Sequence, residues 1–558
     1  MAYDLVIRNG LVVDGTGRPG FEADVAVEGD RIAAIEKNLG RGRREIDARG
    51  KVVSPGFVDP HTHMDEFAFL YPNGQPVVQY GVTTVVTGDC GGSVAPVPPA
   101  GKPLDVLMSY LRRVLDDYVD EKKWKWETIP EYLNFLKGKV GINYLTLAAH
   151  SPIRLSVMGE DYERPATPAE LDEMKRVLRE ALEAGCGGFS TSPKGAAAAH
   201  AGTPSTFATE EETSELANLA GRYGGLFQFN GFLPQVVTPE TGHPALLERI
   251  NCTSIGNEFR IVPERNAQAY QALAWLDEQK RRGKDVVGVF IPYRYTMRFD
   301  LSRPLIFDGL PGWEEASGDR EGLKTRLADG EFRRRLEKER IAGAGRPRFG
   351  EWWGWDDVVV HTVKEPSLKH TENHNIAELA RAKGAEAVDA FFDLWLADDL
   401  ASTFDFWGAQ NGNPALFEKV LKHPQVVFGT DAGAHLSRFY WHGSPCYVLG
   451  YHWRQRGTFT LEEAVNKITA LPASKLGINR GQLKLGWPAD ITVFDPDRVM
   501  DTTSARIPDR MDEMEIRRQP EGIDAVVVNG QIVLEQREFS NLLPGKVTRQ
   551  EISPPVPY

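Results

Sequence analysis

Gly56-Phe57-Val58-Asp59-Pro60-His61-Thr62-His63 is an apolar run that ends in two histidines at positions i and i+2. On a β-strand, side chains two residues apart share a face, so both imidazoles project to one side, close enough to share a single cation. Alternation on a half-exposed strand would also produce such a pair by chance. The preceding Pro55-Gly56-Phe57-Val58-Asp59 favours the metal reading, with this strand as the first of a barrel and His61 and His63 at the end where barrels of parallel strands carry their active sites.

A second apolar strand, Val426-Val427-Phe428-Gly429, delivers Asp431 to a Gly-rich loop, Thr430-Asp431-Ala432-Gly433-Ala434-His435. Late in the chain, it fits the last barrel strand. A carboxylate there is a hard metal ligand and can also accept a proton from an attacking water. Asp is common in strand-end turns in any case, but the histidine pair calls for a carboxylate from elsewhere in the barrel.

Between these two motifs, strand-like runs at Val82 to Thr87, Asn143 to Ala149, Gly187 to Thr191, Asp285 to Ile291 and Asp357 to Val363 alternate with helical stretches. The helices expected are Pro168 to Ala184, Glu210 to Tyr223, Ala267 to Arg282, Ile376 to Lys383, Pro414 to Leu421 and Leu461 to Ala470, with Thr167, Thr209 and Thr460 as caps. Alternation of this kind closes into a TIM-like (β/α)8 barrel, an α/β fold, expected over residues 56–475. Both chain ends, 1–55 and 476–558, read as short strands with turns such as Asn9-Gly10 and Asn529-Gly530, and are expected to form one small β-sandwich. Two stretches break the rhythm, near 102–139 and 305–351, and are read as insertions over the barrel mouth. Their aromatic residues, Tyr118 to Tyr132 with Trp352-Trp353-Gly354-Trp355 just beyond, fit either a bulky substrate or core packing.

A chain of 558 residues can hold a large catalytic domain and a smaller one. With 41% hydrophobic residues, 12 Trp and 26 Phe, it is globular rather than disordered. A net charge of -13 leaves no basic footprint for nucleic acid, and no apolar run reaches membrane-span length. The N-terminus lacks a signal-peptide pattern, so the expected compartment is cytoplasmic. Four scattered cysteines read as reduced thiols, and the composition is compatible with a homo-oligomer.

The chain resembles the amidohydrolase superfamily, and within it the branch of D-aminoacylases, the N-acyl-D-amino-acid deacylases. The resemblance rests on Leu5-Val6-Ile7-Arg8-Asn9-Gly10, Asp14-Gly15-Thr16-Gly17, Arg480-Gly481-Gln482-Leu483 and Gly486-Trp487-Pro488-Ala489-Asp490 at the two ends. Inside the chain it rests on Gly88-Asp89-Cys90-Gly91, His150-Ser151-Pro152-Ile153-Arg154, Gly188-Phe189-Ser190-Thr191 and Pro292-Tyr293. It implies a metal-dependent hydrolase of an amide C–N bond, with Cys90 as a ligand and Tyr293 facing the substrate. Cys90 follows the strand Val82 to Thr87, so a thiolate there reaches the same barrel end as the histidines and suits zinc.

The branch supplies two further metal histidines from its middle strands. Here those regions read Leu226-Phe227-Gln228-Phe229-Asn230 and Ser254-Ile255-Gly256-Asn257-Glu258, without histidine. The expected centre is therefore one divalent ion, zinc, on His61, His63, Cys90 and Asp431, with Asp431 also catalytic and a second metal doubtful. Gln228, Asn230 and His150 are assigned to a small-molecule amide substrate or its water. His150 and His435 fit structural roles equally well. Arg294, Arg298 and Arg438 are available for a substrate carboxylate. His361, or His370 with His374, could compensate for the missing ligands. Two other functions remain open: hydrolysis of another amide, cyclic amide or ester, and ligand binding without turnover.

Overall fold

The computed structural model describes residues 2–115, 119–194, 200, 202–231, 243–257, 259, 261, 266–293, 297–301, 306–307, 310–316, 319–342, 354–406, 413–433, 442–501 and 520–549. The N-terminal strands are β1 (Tyr3–Val12), β2 (Phe21–Glu28), β3 (Arg31–Glu36), β4 (Gly42–Asp47) and β5 (Val52–Pro55). What reads in sequence as two strands around an Asn9-Gly10 turn is the single strand β1. Asn9 takes a φ of 57° and the register against β2 slips between Ile7 and Gly10, so the pair forms a bulge and not a hairpin turn.

The chain continues with β6 (Phe57–Asp59), β7 (Val82–Thr87), β8 (Asn143–Thr146), β9 (Ala148–Ala149), β10 (Gly188–Thr191), β11 (Leu226–Asn230), β12 (Ser254–Asn257) and β13 (Val286–Phe290). Then come β14 (Met297–Phe299), β15 (Val358–Thr362), β16 (Thr403–Phe406) and β17 (Val426–Phe428). The C-terminal strands are β18 (Ile491–Phe494), β19 (Ile523–Val528), β20 (Gln531–Glu535) and β21 (Glu538–Phe539).

Two parallel arcs hold the core. One runs β6-β7-β8 and the other β9-β10-β11-β12-β13-β17. Only Leu147 separates β8 from β9, and Thr62 bridges in parallel to Ala432, so the two arcs meet at both edges. These strands are buried on both faces, as parallel strands covered by helices must be, and their interior holds Val58, Val86, Leu145, Leu226, Ile255, Val287 and Val427. The helix Pro168–Ala184 shows why its neighbours form: a Thr167–Glu170 capping box, worth about 1 kcal/mol, opens it, and Met174, Leu178, Ala181 and Leu182 make its buried stripe.

Both chain ends join in one nine-stranded sheet, ordered β21-β20-β19-β18-β5-β1-β2-β3 with β4 alongside β1. Arg44 of β4 pairs with Glu535 of β20 across it, and Leu5, Ile7, Val25, Val53, Ile491, Val493 and Val527 share one apolar cluster. The two ends are joined as one continuous hydrogen-bonded sheet that folds over this cluster. The Asn529-Gly530 turn joins β19 to β20 with φ of 46° and 81°, the left-handed pair that a two-residue hairpin requires.

The chain between β13 and β17 folds apart. Here β14, β16 and β15 make an antiparallel sheet against helices including Arg320–Ala328, Gly330–Ile341 and Ala387–Ala397, with its own cluster of Phe299, Phe307, Trp313, Trp355, Phe391, Trp395 and Phe404. The run Asp357 to Val363 thus belongs to this insertion and not to the parallel strands. Apolar alternation cannot distinguish the two contexts. Two parallel strands that the alternation reading passes over, β11 and β12, are short and end in Asn.

Candidate metal centre

The residues at the C-terminal ends of the parallel strands converge. His61 and His63 follow β6, and Asp431 follows β17 in a loop stitched to them by Asp431 N–H to His61 O at 3.0 Å and His63 N–H to Ala432 O at 2.6 Å. Gly433 passes so close that a Cβ there would stand 2.3 Å from the His63 carbonyl, and its φ is 88°, so glycine is required. Asp59 clamps both loops: its Oδ1 accepts from the backbone N–H groups of His61 and Thr430, each at 3.2 Å, and its Oδ2 accepts from the Thr430 hydroxyl.

His61 Nε2 stands 3.4 Å from Asp431 Oδ1, His63 Nε2 3.3 Å from the same oxygen, and Cys90 Sγ 3.6 Å from His61 Nε2. Donor atoms of His61, His63 and Cys90 all lie within 4.8 Å of one another. At zinc bond lengths of about 2.1 Å to nitrogen or oxygen and about 2.3 Å to sulfur, tetrahedral ligand atoms stand about 3.4 Å apart for nitrogen and oxygen and about 3.6 Å apart for nitrogen and sulfur. His61, His63 and Cys90 form a group that suits such an ion in chemistry and spacing, and Asp431 reaches its two imidazoles at the same range. Cys90 and Asp431 both hold a φ of 55°, backbone that non-glycine residues rarely adopt and that recurs at functional sites.

Burial drives the electrostatics. It pushes His61 down to about 4 against the pull of Asp431, which keeps the imidazole neutral and its lone pair available. Burial also lowers His63, but its hydrogen bonds to Asp431 and Cys90 more than offset this and raise it well above the usual value. The Cys90 thiol is raised by burial, with His63 opposing.

Cys90 is gripped at every polar atom. Its N–H donates to Gln228 Oε1 at 2.7 Å, and its carbonyl accepts from Tyr110 Oη at 2.9 Å and Ser192 Oγ at 2.6 Å. Asn230 Nδ2 and Asn257 Nδ2 donate to its sulfur at 3.3 and 3.2 Å. The insertion that carries Tyr110 therefore braces the centre. Its tryptophans, Trp124 and Trp126, pack into the core beside Tyr132 and do not line a substrate site.

Several sequence assignments move. His150 is fully buried with Nδ1 at 2.9 Å from Thr191 Oγ1 and Nε2 at 2.9 Å from Glu212 Oε1, so neither ring nitrogen is left for substrate. The Tyr293 hydroxyl donates to Asp501 and its ring stacks on Tyr447, so it too is engaged inside the protein. Gln228 and Asn230 hold Cys90. His361 sits 3.6 Å from Asp405 on the insertion's sheet, while His370 and His374 are exposed, bonded to Ser367 O and paired with Glu378. His370 lies in a short 3₁₀ turn and His374 in a loop, not on one helix, so no compensating pair forms. Arg298 is paired in two-pronged fashion with Asp405 at 2.8 and 3.1 Å. Arg294, Arg438, His435, Trp352 and Trp353 lie outside the described residues.

Sequence reasoning passed over Asn257, Asp59 and His442. An Asp one or two positions before two of the ligands, Asp59 before His61 and Asp89 before Cys90, is the available signal for such clamps. His442 is buried and pushed down to about 4 by burial, with Asp431 opposing. No motif marks it.

The amidohydrolase family pattern matches residues 44–245 and 339–534. The D-aminoacylase of Alcaligenes xylosoxydans xylosoxydans is 29% identical over 98% of this chain and 97% of its own. The solved N-acyl-D-glutamate deacylase of Bordetella bronchiseptica, complexed with zinc and a phosphonate mimic of the tetrahedral intermediate, aligns with a TM-score of 0.66, 27% identity and coverage of 98% and 100%. A solved D-aminoacylase with a binuclear metal centre, activated by one metal and attenuated by the second, aligns with a TM-score of 0.67, 26% identity and the same coverage.

Proposed function

The chain belongs to the amidohydrolase family, and from that premise we propose that it is an N-acyl-D-amino-acid deacylase-like hydrolase that cleaves an amide C–N bond at a single-ion centre. The observation that carries the reading is the convergence of His61, His63 and Cys90, whose donor atoms all lie within 4.8 Å of one another, with Asp431 Oδ1 at 3.4 Å from His61 and 3.3 Å from His63. The two parallel arcs support a TIM-like (β/α)8 barrel as the scaffold, spanning residues 56–475, with the sheet from both chain ends as the second domain.

When bound, a divalent ion there polarises the scissile carbonyl and acidifies the attacking water. His61 and His63 would hold the ion from one strand end, and Asp59 keeps their loop in register with that of Asp431. Asp431 accepts the proton of the water as its oxygen bonds to the carbonyl carbon. It then gives that proton to the nitrogen as the C–N bond breaks, leaving a carboxylic acid and an amine.

A second reading, hydrolysis of a different amide, a cyclic amide or an ester, draws on one observation: the Tyr293 hydroxyl is already bonded to the buried Asp501, so a substrate carboxylate at that point would have to displace a carboxylate. A panel of N-acetyl-D-amino acids, their L-enantiomers, hydantoins and esters separates the two. Release of free amino acid from the D-series, lost on chelation and restored by zinc, is expected. Zinc-loaded protein that hydrolyses none of the panel overturns the hydrolase reading.

A further inference from the structure

The sulfur of Cys90 is met by two neutral carboxamides as well as by His61. Asn230 and Asn257, each at the end of its strand and paired with one another in register across β11 and β12, both aim Nδ2 at the sulfur. Asn257 Nδ2 also lies 3.4 Å from His61 Nε2. All three groups are fully buried, so no water competes for these contacts. Asn257 Oδ1 and Gln228 Nε2 have no hydrogen-bond partner among the described residues.

We propose that Asn230 and Asn257 stand in place of a second cation: their N–H groups occupy the sulfur lone pairs that a thiolate would need to bridge two ions, and so restrict this centre to one. A thiolate is stabilised by hydrogen-bond donors much as it is by a cation, with the positive end of each N–H dipole directed at the sulfur. Bridging would require both donors to turn away, leaving buried N–H groups unpaired, and the carboxamide oxygens then offered are poor zinc ligands beside imidazole. In a relative with a binuclear centre, the second metal attenuates. Here the sulfur already accepts from two uncharged groups, so activity becomes insensitive to excess metal. The inference rests on the one-ion hydrolase reading for the first ion alone.

The test is zinc per folded chain by elemental analysis, after equilibration with excess zinc and removal of the unbound ion. Wild type is expected to stay at about one ion, and the near-isosteric double variant Asn230→Asp/Asn257→Asp, which replaces both donors with carboxylate oxygens, to rise to about two. Two Cys90-dependent ions in wild type, or a folded double variant that remains at one, overturns the proposal and leaves the hydrolase intact. No ion in wild type sinks both. A second measurement needs no gain of metal. In cobalt-loaded protein, Asn230→Leu and Asn257→Leu are each expected to shift the thiolate-to-cobalt charge-transfer band to longer wavelength, because a sulfur relieved of its donors gives up charge more readily. Unmoved bands count against the assignment.

Discussion

Two buried histidine–carboxylate clusters flank one strand, and they differ in two respects. Around His150, every contact is closed: both ring nitrogens bond at 2.9 Å, and Glu212 also takes two contacts from Arg154, whose remaining N–H groups reach the carbonyls of Tyr162 and Arg164. Around His61 and His63, the contacts run from 3.3 to 3.6 Å, longer than those of His150 and of the length of the edges of a coordination sphere. Burial is equal in the two. What distinguishes the two clusters is the length of their contacts and the thiol that only the second contains.

That contrast breaks most visibly at Asp431. Asp431→Asn is expected to lower kcat by about a thousandfold, the scale of a general acid–base group, when measured on zinc-loaded protein. Unchanged turnover would leave Asp431 without its proton-carrying role. The closed cluster should answer in stability instead. Glu212→Gln leaves Arg154 buried without its counter-charge and is expected to cost about 3 kcal/mol in urea unfolding, while zinc per folded chain stays the same.

The pH dependence sharpens the same limb. Burial alone would raise Glu212, but the hydrogen bonds and charges of His150 and Arg154 bring its carboxyl down from the usual 4.5 to about 2. As pH falls through that window the unfolded chain protonates first, so stability is fully present above about 4.5 and drains away towards 2. Wild type should therefore lose more stability than Glu212→Gln across that range in parallel urea titrations. Equal losses would mean that the carboxylate is not held as described.

Smaller effects lie in the shell. Tyr110→Phe removes one of the two donors to the Cys90 carbonyl and is expected to weaken zinc binding by about tenfold, read by competition with a chelating dye. His370→Ala/His374→Ala, on an exposed stretch, should change neither zinc content nor stability beyond about 0.5 kcal/mol. A drop in zinc there would reopen the search for ligands.

The legible parts of the sequence were those in which local pattern and function coincide. The helix bounds of Pro168–Ala184 and Ile376–Lys383 followed from caps and period, and the ligand run His61–His63 from strand alternation. Val358–Thr362 was misplaced because an insertion strand carries the same apolar run as a parallel strand. Asn257 was passed over because nothing near it in sequence is chemically unusual. Its meaning lies 3.2 Å away, on Cys90.

By itself, the sequence determined the α/β class and the short strands at both ends, and it singled out His61, His63 and Asp431 as candidate ligands, with Cys90 added by the family resemblance. Each depends on residue type and short-range spacing, which the chain states directly. The tertiary structure alone decided that His150 is spent on Glu212, that His361 belongs to another sheet, and that two asparagines donate to the sulfur. Those outcomes depend on which strands become neighbours, and a hydrogen bond is settled by fractions of an ångström between residues up to hundreds of positions apart.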